Sequence, residues 1–245
     1  MKISLVQLDM FWEDKKATKE RIENLLGSFK GDTDLLIFPE MTLTGFSMNT
    51  AETLSDEADR EFFASVARRF SCAVTYGAVE NGFNCQITLD KNGERIASYK
   101  KIHLFSYADE DRFYSKGDKT VTFSLNGARI TPFVCYDLRF AYLFWEKAAE
   151  TDIFLVNASC PASRSLHWKS LLRARAVENQ AFVIGVNRTG NDPKAHYSGD
   201  SAVYSPLGDA VIECGSAEGV FTAEISVAAV TETRNFFPFG RDRLR

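Results

Sequence analysis

Apolar residues in this chain follow two periods, and segments of the two kinds alternate along it. Residues 3–8 and 35–38 are short, nearly continuous apolar runs, which read as strands buried on both faces, with Pro39 stopping the second. Between them, residues 14–29 place Ala17, Ile22, Leu25, Leu26 and Phe29 at helical spacing and close near Gly31. A second amphipathic helix is predicted over 55–70, opened by Ser55 with Asp56 and Glu57 in its first turn. Residues 73–79, 84–89 and 94–99 read as a meander, Asp90-Lys91-Asn92-Gly93 supplying a hairpin turn. A strand over 128–134 runs sharply into a helical segment, 140–150. Strand 153–156, helix 165–180 and strand 182–187 follow, and short strands at 202–204, 210–213 and 220–225 end the pattern, with a turn over 205–209. Helices alternating with strands, together with hairpins, exclude a purely parallel sheet. They predict an α/β sandwich of mixed sheets with helices on its outer faces. No linker, repeat or composition shift divides the chain, so one domain is expected over 1–245.

Composition narrows the class. Apolar residues make up 45% and charged residues 25%, ordinary values for a soluble globular protein. The net charge is −4 with both signs interleaved, so no basic block points to nucleic acid. Five scattered cysteines, Cys72, Cys85, Cys135, Cys160 and Cys214, suit reduced intracellular thiols rather than a disulfide framework. The N-terminal apolar run is too short for a signal peptide and no run approaches a membrane span, so a cytoplasmic location is expected. His103, His167 and His196 lie far apart with no ligand at metal spacing beside them, so no metal is expected.

Three strand-to-loop junctions carry candidate chemistry. In the first, Cys135 follows strand 128–134 just before a helix, where amides and the helix dipole would favour a thiolate. A small buried hydrophobe is the commoner use of a free cysteine at a strand end. In the second, Glu40 follows an apolar strand with only Pro39 between, placing a carboxylate on the rim where α/β folds collect functional groups, although a capping or solvent-facing Glu fits as well. The third holds Lys100 and Lys101. In an extended segment they face opposite sides, so one is expected to point inward and to need a carboxylate, unless the pair is a simple basic loop. An acidic loop over 108–117 follows, opening Ala108-Asp109-Glu110-Asp111, which reads equally as plain surface.

Phe38-Pro39-Glu40-Met41 with Thr44-Gly45-Phe46, Tyr99-Lys100-Lys101-Ile102-His103-Leu104-Phe105, and Cys135-Tyr136-Asp137-Leu138-Arg139-Phe140 closely resemble, in order, the signature segments of the nitrilase superfamily. These are carbon–nitrogen hydrolases with a Glu-Lys-Cys triad. Residues 167–180 resemble the family's Trp-containing helix, and Asn187-Arg188, Gly199-Asp200-Ser201 and Ser205-Pro206-Leu207-Gly208 continue the match, so it covers nearly the whole chain. The resemblance implies a four-layer α-β-β-α sandwich, commonly a homodimer or larger homo-oligomer. It implies Glu40 as general base, Lys101 as oxyanion-stabilising cation, Cys135 as nucleophile, Glu110 as a second glutamate beside the lysine, and the Tyr136 backbone amide as another oxyanion donor. No cofactor is required.

Within the superfamily the chain is most similar to the ω-amidase branch, which hydrolyses monoamides of α-keto dicarboxylic acids such as 2-oxoglutaramate. The similarity rests on residues 44–49, 108–110 and 161–168. Ala141 and Cys160 depart from it, standing where similar proteins often have Pro and Trp, and Cys160 bears on the shape of the pocket. The expected reaction is hydrolysis of a small carboxamide to carboxylate and ammonia through a cysteine thioester. N-carbamoyl-amine or nitrile hydrolysis on the same triad, or an inactive binding protein of the same fold, are the alternatives. For the distal carboxylate of an α-keto acid amide, Arg164 is the expected reader, in a loop where specificity resides. Arg139 is the second candidate, although its place in the signature suits bracing of the Cys135 elbow. Arg173 and Arg175 are expected in structural ion pairs, with Glu178 as a partner.

Overall fold

The computed structural model describes residues 1–243, so residues 244 and 245 of the expected 1–245 domain lie outside the described residues. In chain order the elements are β1 (Lys2–Gln7), α1 (Lys15–Ser28), β2 (Leu35–Ile37), α2 (Thr50–Thr53), α3 (Glu57–Phe70), β3 (Ala73–Glu80), β4 (Phe83–Leu89), β5 (Arg95–Lys100), α4 (Glu110–Phe113), β6 (Phe123–Leu125), β7 (Ala128–Val134), α5 (Ala141–Lys147), β8 (Ile153–Ala158), α6 (Ser165–Asn179), β9 (Phe182–Asn187), β10 (Thr189–Asn191), β11 (His196–Ser198), β12 (Ala202–Tyr204), β13 (Ala210–Glu213), β14 (Gly219–Glu224) and α7 (Ala228–Phe236).

The strands form two six-stranded sheets, ordered β14-β1-β2-β3-β4-β5 and β13-β12-β9-β8-β7-β6, with β10 and β11 as a separate hairpin. Each large sheet has a parallel centre, β1-β2-β3 in one and β7-β8-β9 in the other, and antiparallel edges. The period of two along β2 sets the layers. Leu35 and Ile37 face the second sheet, where they join Ile130, Ile153, Leu155 and Ile184. Leu36 and Phe38 face outward, onto Ile22 and Leu26 of α1 and Phe63, Val66 and Ala67 of α3. On the far side, Phe154 and Val156 of β8 pack beneath Leu143 and Phe144 of α5 and Trp168, Leu172 and Ala176 of α6. The result is the expected α-β-β-α sandwich, and no helix among the described residues is long and apolar enough to cross a membrane.

Local details differ from the predicted elements. Helix α3 is capped by Asp56 rather than Ser55, and Asp56 and Asp59 satisfy each other's backbone amides in a capping box. Between Cys135 and α5 lies a 3-10 turn, Cys135–Arg139, so the expected direct passage from strand to α-helix is absent. What positions the site is the shared carboxyl edge of the strands. Glu40 follows β2, Lys101 follows β5, Cys135 follows β7, and Ser159 and Cys160 follow β8.

Candidate active site

Glu40 opens the turn after β2, and that turn is pressed onto Gly77 of β3. A methyl group on Gly77 would lie 2.3 Å from the Met41 nitrogen and 2.7 Å from the Glu40 Cα. Thr42 completes the clamp, its Oγ1 donating to the Pro39 carbonyl at 2.7 Å and accepting from the Gly77 amide at 3.1 Å. The Glu40 carboxylate is thereby fully buried. Its Oε1 accepts from Lys101 Nζ and from Asn84 Nδ2, both at 2.8 Å, and its Oε2 accepts from the Ser159 amide at 2.9 Å.

Of the two lysines it is Lys101 that points inward. Lys100 is exposed, with its ammonium 3.8 Å from the centre of the Phe83 ring. Gly117 presses on this corner as Gly77 does on the other, since a Cβ there would lie 2.2 Å from the Lys100 carbonyl oxygen. Lys101 Nζ donates to Glu40 Oε1 at 2.8 Å and to Glu110 Oε2 and Oε1 at 2.9 and 3.1 Å. Glu110, read equally as surface from its acidic loop, is fully buried, and also accepts from Asn84 Nδ2 at 2.8 Å and the Phe105 amide at 2.6 Å. Burial alone would depress the Lys101 pKa, but Glu110 and then Glu40 outweigh it and hold the ammonium charged well above the usual lysine range.

Cys135 sits at the elbow itself, with a φ of +43° that side-chain-bearing residues rarely adopt. The elbow is tied down from both sides. Asp137 Oδ2 accepts from Tyr99 Oη at 2.8 Å and from the Val134 amide at 3.1 Å, while its Oδ1 accepts from the His103 amide at 2.9 Å. These bonds couple the cysteine turn to the strand that delivers Lys101. Arg175 of α6 supplies the other tie, with Nε and Nη2 donating to the Leu138 carbonyl at 3.1 and 2.8 Å. Bracing of the elbow thus belongs to Arg175, not to Arg139 as its signature position suggested; Arg175 also makes the expected pair with Glu178, at 3.0 Å. A second expectation is overturned: the thiol is not poised as a thiolate. Burial, and then the Glu40 carboxylate, push its pKa well above the usual range, and Lys101 recovers only part of that. The resting group is a neutral thiol close to a carboxylate that can take its proton.

A family model for carbon-nitrogen hydrolases matches residues 2–235. The chain belongs to that family. The omega-amidase YafV of Escherichia coli is 36% identical over 99% of this chain and 96% of its own length. The 2-oxoglutaramate amidase of Bacillus subtilis is 31% identical over 96% of this chain and 95% of its own. A solved CN-hydrolase superfamily protein of Xanthomonas campestris, which carries an arsenic adduct in its active site, superposes with a TM-score of 0.94 at 35% identity. That match covers 100% of this chain and 97% of the other.

In this carbon-nitrogen hydrolase the Glu40–Lys101 pair and Cys135 line one cavity of about 330 Å³. Aromatic rings make much of its wall: Phe46, Phe105, Tyr136, Trp168 and Tyr197. The Tyr136 ring packs 5.0 Å from Phe105, and its backbone amide follows Cys135 in the elbow. Arg139, Arg164 and Lys194 also line the cavity, and none of the three has an ion-pair partner among the described residues. Arg164 lies with its guanidinium 5.1 Å from the Phe105 ring centre. Arg173 points elsewhere, toward Glu213 at 3.5 Å. Cys160 faces the cavity with its pKa pushed up to about 11 by burial, against the lowering influence of Arg164 and Arg139. Sequence reasoning missed two members of the site. Asn84 read only as a strand residue, yet its amide joins both carboxylates, and Ser159 drew no attention although its amide holds Glu40. Polarity gave no clear signal: Asn84, Gln86 and Thr88 alternate with Cys85, Ile87 and Leu89 as on a strand with one solvated face, yet all three are buried.

Proposed function

We propose that this hydrolase is an ω-amidase, cleaving the terminal amide of an α-keto acid monoamide such as 2-oxoglutaramate through a thioester on Cys135. The observation that carries the chemistry is the Glu40–Lys101 pair on the wall of the cavity that Cys135 also lines, with Glu110 buried against Lys101. The names of the Escherichia coli and Bacillus subtilis relatives support the substrate class. In this reading Glu40 takes the thiol proton as Cys135 Sγ attacks the amide carbonyl. Lys101 Nζ and the Tyr136 amide stabilise the oxyanion, each donor lowering the barrier by roughly 3 kcal/mol. The tetrahedral intermediate collapses with ammonia leaving on the proton held by Glu40. Water, deprotonated by Glu40, then releases the acid and restores the thiol. Glu110, whose oxygens already meet Lys101, Asn84 and the Phe105 amide, holds the lysine in place.

Arg164 and Arg139 are the proposed readers of the substrate carboxylate, supported by their position on the cavity wall without acidic partners among the described residues. The reading extends to one catalytic domain in a reduced, cytoplasmic setting, in keeping with the unpaired cysteines. It also includes a homodimer, in keeping with exposed large apolar side chains at Tyr142 and Trp145 on α5 and Leu166 on α6. Ammonia release from 2-oxoglutaramate, an N-carbamoyl amine and an aliphatic nitrile tests the proposal. Preference for the amide is expected, and faster turnover of either other compound would replace the reaction assigned here.

A further inference from the structure

Arg139 leaves the 3-10 turn after Cys135 as an exposed side chain, yet it lines the cavity. A free arginine on a surface has many rotamers, and fixing one of them costs free energy that weakens binding unless something else holds it. One side-chain partner does so among the described residues: Arg139 Nη2 lies 3.0 Å from His167 Nδ1. A guanidinium carries donors and no acceptor, so the nitrogen facing it must be the unprotonated one, accepting the bond. His167 stands in the first turn of α6, the helix whose entry also carries Arg164, and it shares the cavity wall with Trp168 and Leu171. Arg164 is steadied by the Phe105 ring. Arg139, Arg164, Cys160 and Cys135 all line this one cavity, so the two cations and the nucleophile share its wall.

We infer that His167 is the positioning residue of a carboxylate subsite, holding Arg139 so that it and Arg164 together receive the carboxylate of an amide whose carbonyl lies at Cys135. The inference rests on the ω-amidase reading. It separates two tasks on one helix turn: Arg164 and Arg139 touch the substrate, and His167 acts only through Arg139.

Steady-state kinetics on 2-oxoglutaramate and on uncharged valeramide test it, using the wild-type protein, His167→Ala, His167→Gln, Arg139→Ala and the His167→Ala/Arg139→Ala double variant. The wild-type comparison bears on the ω-amidase reading alone. If valeramide is the better substrate, that reading fails and the subsite goes with it. With the keto acid amide preferred, His167→Ala is expected to lower the ratio of the two kcat/KM values by about three- to tenfold, a fraction of the weight of a charge-assisted hydrogen bond because His167 acts on the substrate only through Arg139, chiefly through KM. His167→Gln, whose side-chain oxygen can accept from Arg139, should recover most of the loss. In the Arg139→Ala background, removing His167 should change the ratio no further. Equal losses on both amides, a loss carried by kcat alone, failure of glutamine to rescue, or additive effects in the double variant would each overturn the inference.

Discussion

At the scale of single residues, Lys101 and Lys100 show how one step along a strand separates a buried charge from a surface one. Lys101 is the cation between two buried carboxylates, so Lys101→Met would leave Glu40 and Glu110 facing each other without it. A loss of about 3–5 kcal/mol in unfolding free energy is expected, with activity abolished, against little change for Lys100→Ala. Urea denaturation of the two variants checks this, and comparable mild effects would contradict it. Arg164 is tested by function instead. Arg164→Ala is expected to lower kcat/KM for 2-oxoglutaramate by about 1.5–3 kcal/mol, the range of a charged hydrogen bond, and to spare valeramide; equal effects on the two would remove it from the subsite. The alternation of an extended strand made the inward lysine legible, although not which of the two it was; that choice came from the resemblance. Asn84 was not legible, because an amide at a strand start looks alike whether it meets water or two carboxylates. Nor was the state of the Cys135 thiol, since the helix-dipole argument ignored burial and the neighbouring Glu40 charge, which prevail here.

At the scale of elements, long amphipathic segments and continuous apolar runs were legible, and short segments without such a run were not. β9 and β12 fall where the pattern put them, and α1, α3 and α6 differ from it only at their ends. The three-residue strands β6, β10 and β11 lack the continuous apolar run that marks β2 and β12, and helix α7 with the one-turn helices α2 and α4 was also missed. Glycines in similar sequence settings carry unequal loads. Gly77→Ala would drive a methyl group into the backbone of the Glu40 turn, which cannot yield as a side chain could, so a loss of about 1–3 kcal/mol together with reduced kcat is expected. Gly27→Ala meets nothing within 4 Å near the end of α1, and should stabilise by up to about 1 kcal/mol without altering turnover. Thermal melts and kcat on the two variants decide, and a Gly77→Ala protein of full activity would show that the clamp does not position Glu40.

For the whole molecule, the sandwich was legible as mixed sheets with outer helices, whereas the four-layer arrangement came from the resemblance, because periodicity does not say which sheet faces which. The same burial that makes the core sets its behaviour at high pH. Burial pushes the Cys72 and Cys85 thiols up to about 12, while in the unfolded chain they ionise near the usual thiol value of about 8.5. Above that value the unfolded chain has lost protons that the native state still holds, so stability falls as pH rises, by about 1.4 kcal/mol per pH unit for each thiol. Urea unfolding in reductant at pH 8, 9 and 10 should show this decline, and a Cys72→Ala/Cys85→Ala variant should show a shallower one. Equal slopes for the two proteins would mean that the thiols do not control it.

The central claim is that Cys135 is acylated by an amide substrate beside a base at Glu40. The most direct measurement is mass spectrometry of the intact protein and its peptides after rapid mixing of the wild-type protein with 2-oxoglutaramate and acid quenching during turnover, since the same base both forms and releases the acyl group. The account predicts an acyl adduct confined to the peptide containing Cys135, absent from Cys135→Ala, which should also release no ammonia. An unmodified Cys135 peptide together with ammonia release by Cys135→Ala would contradict it.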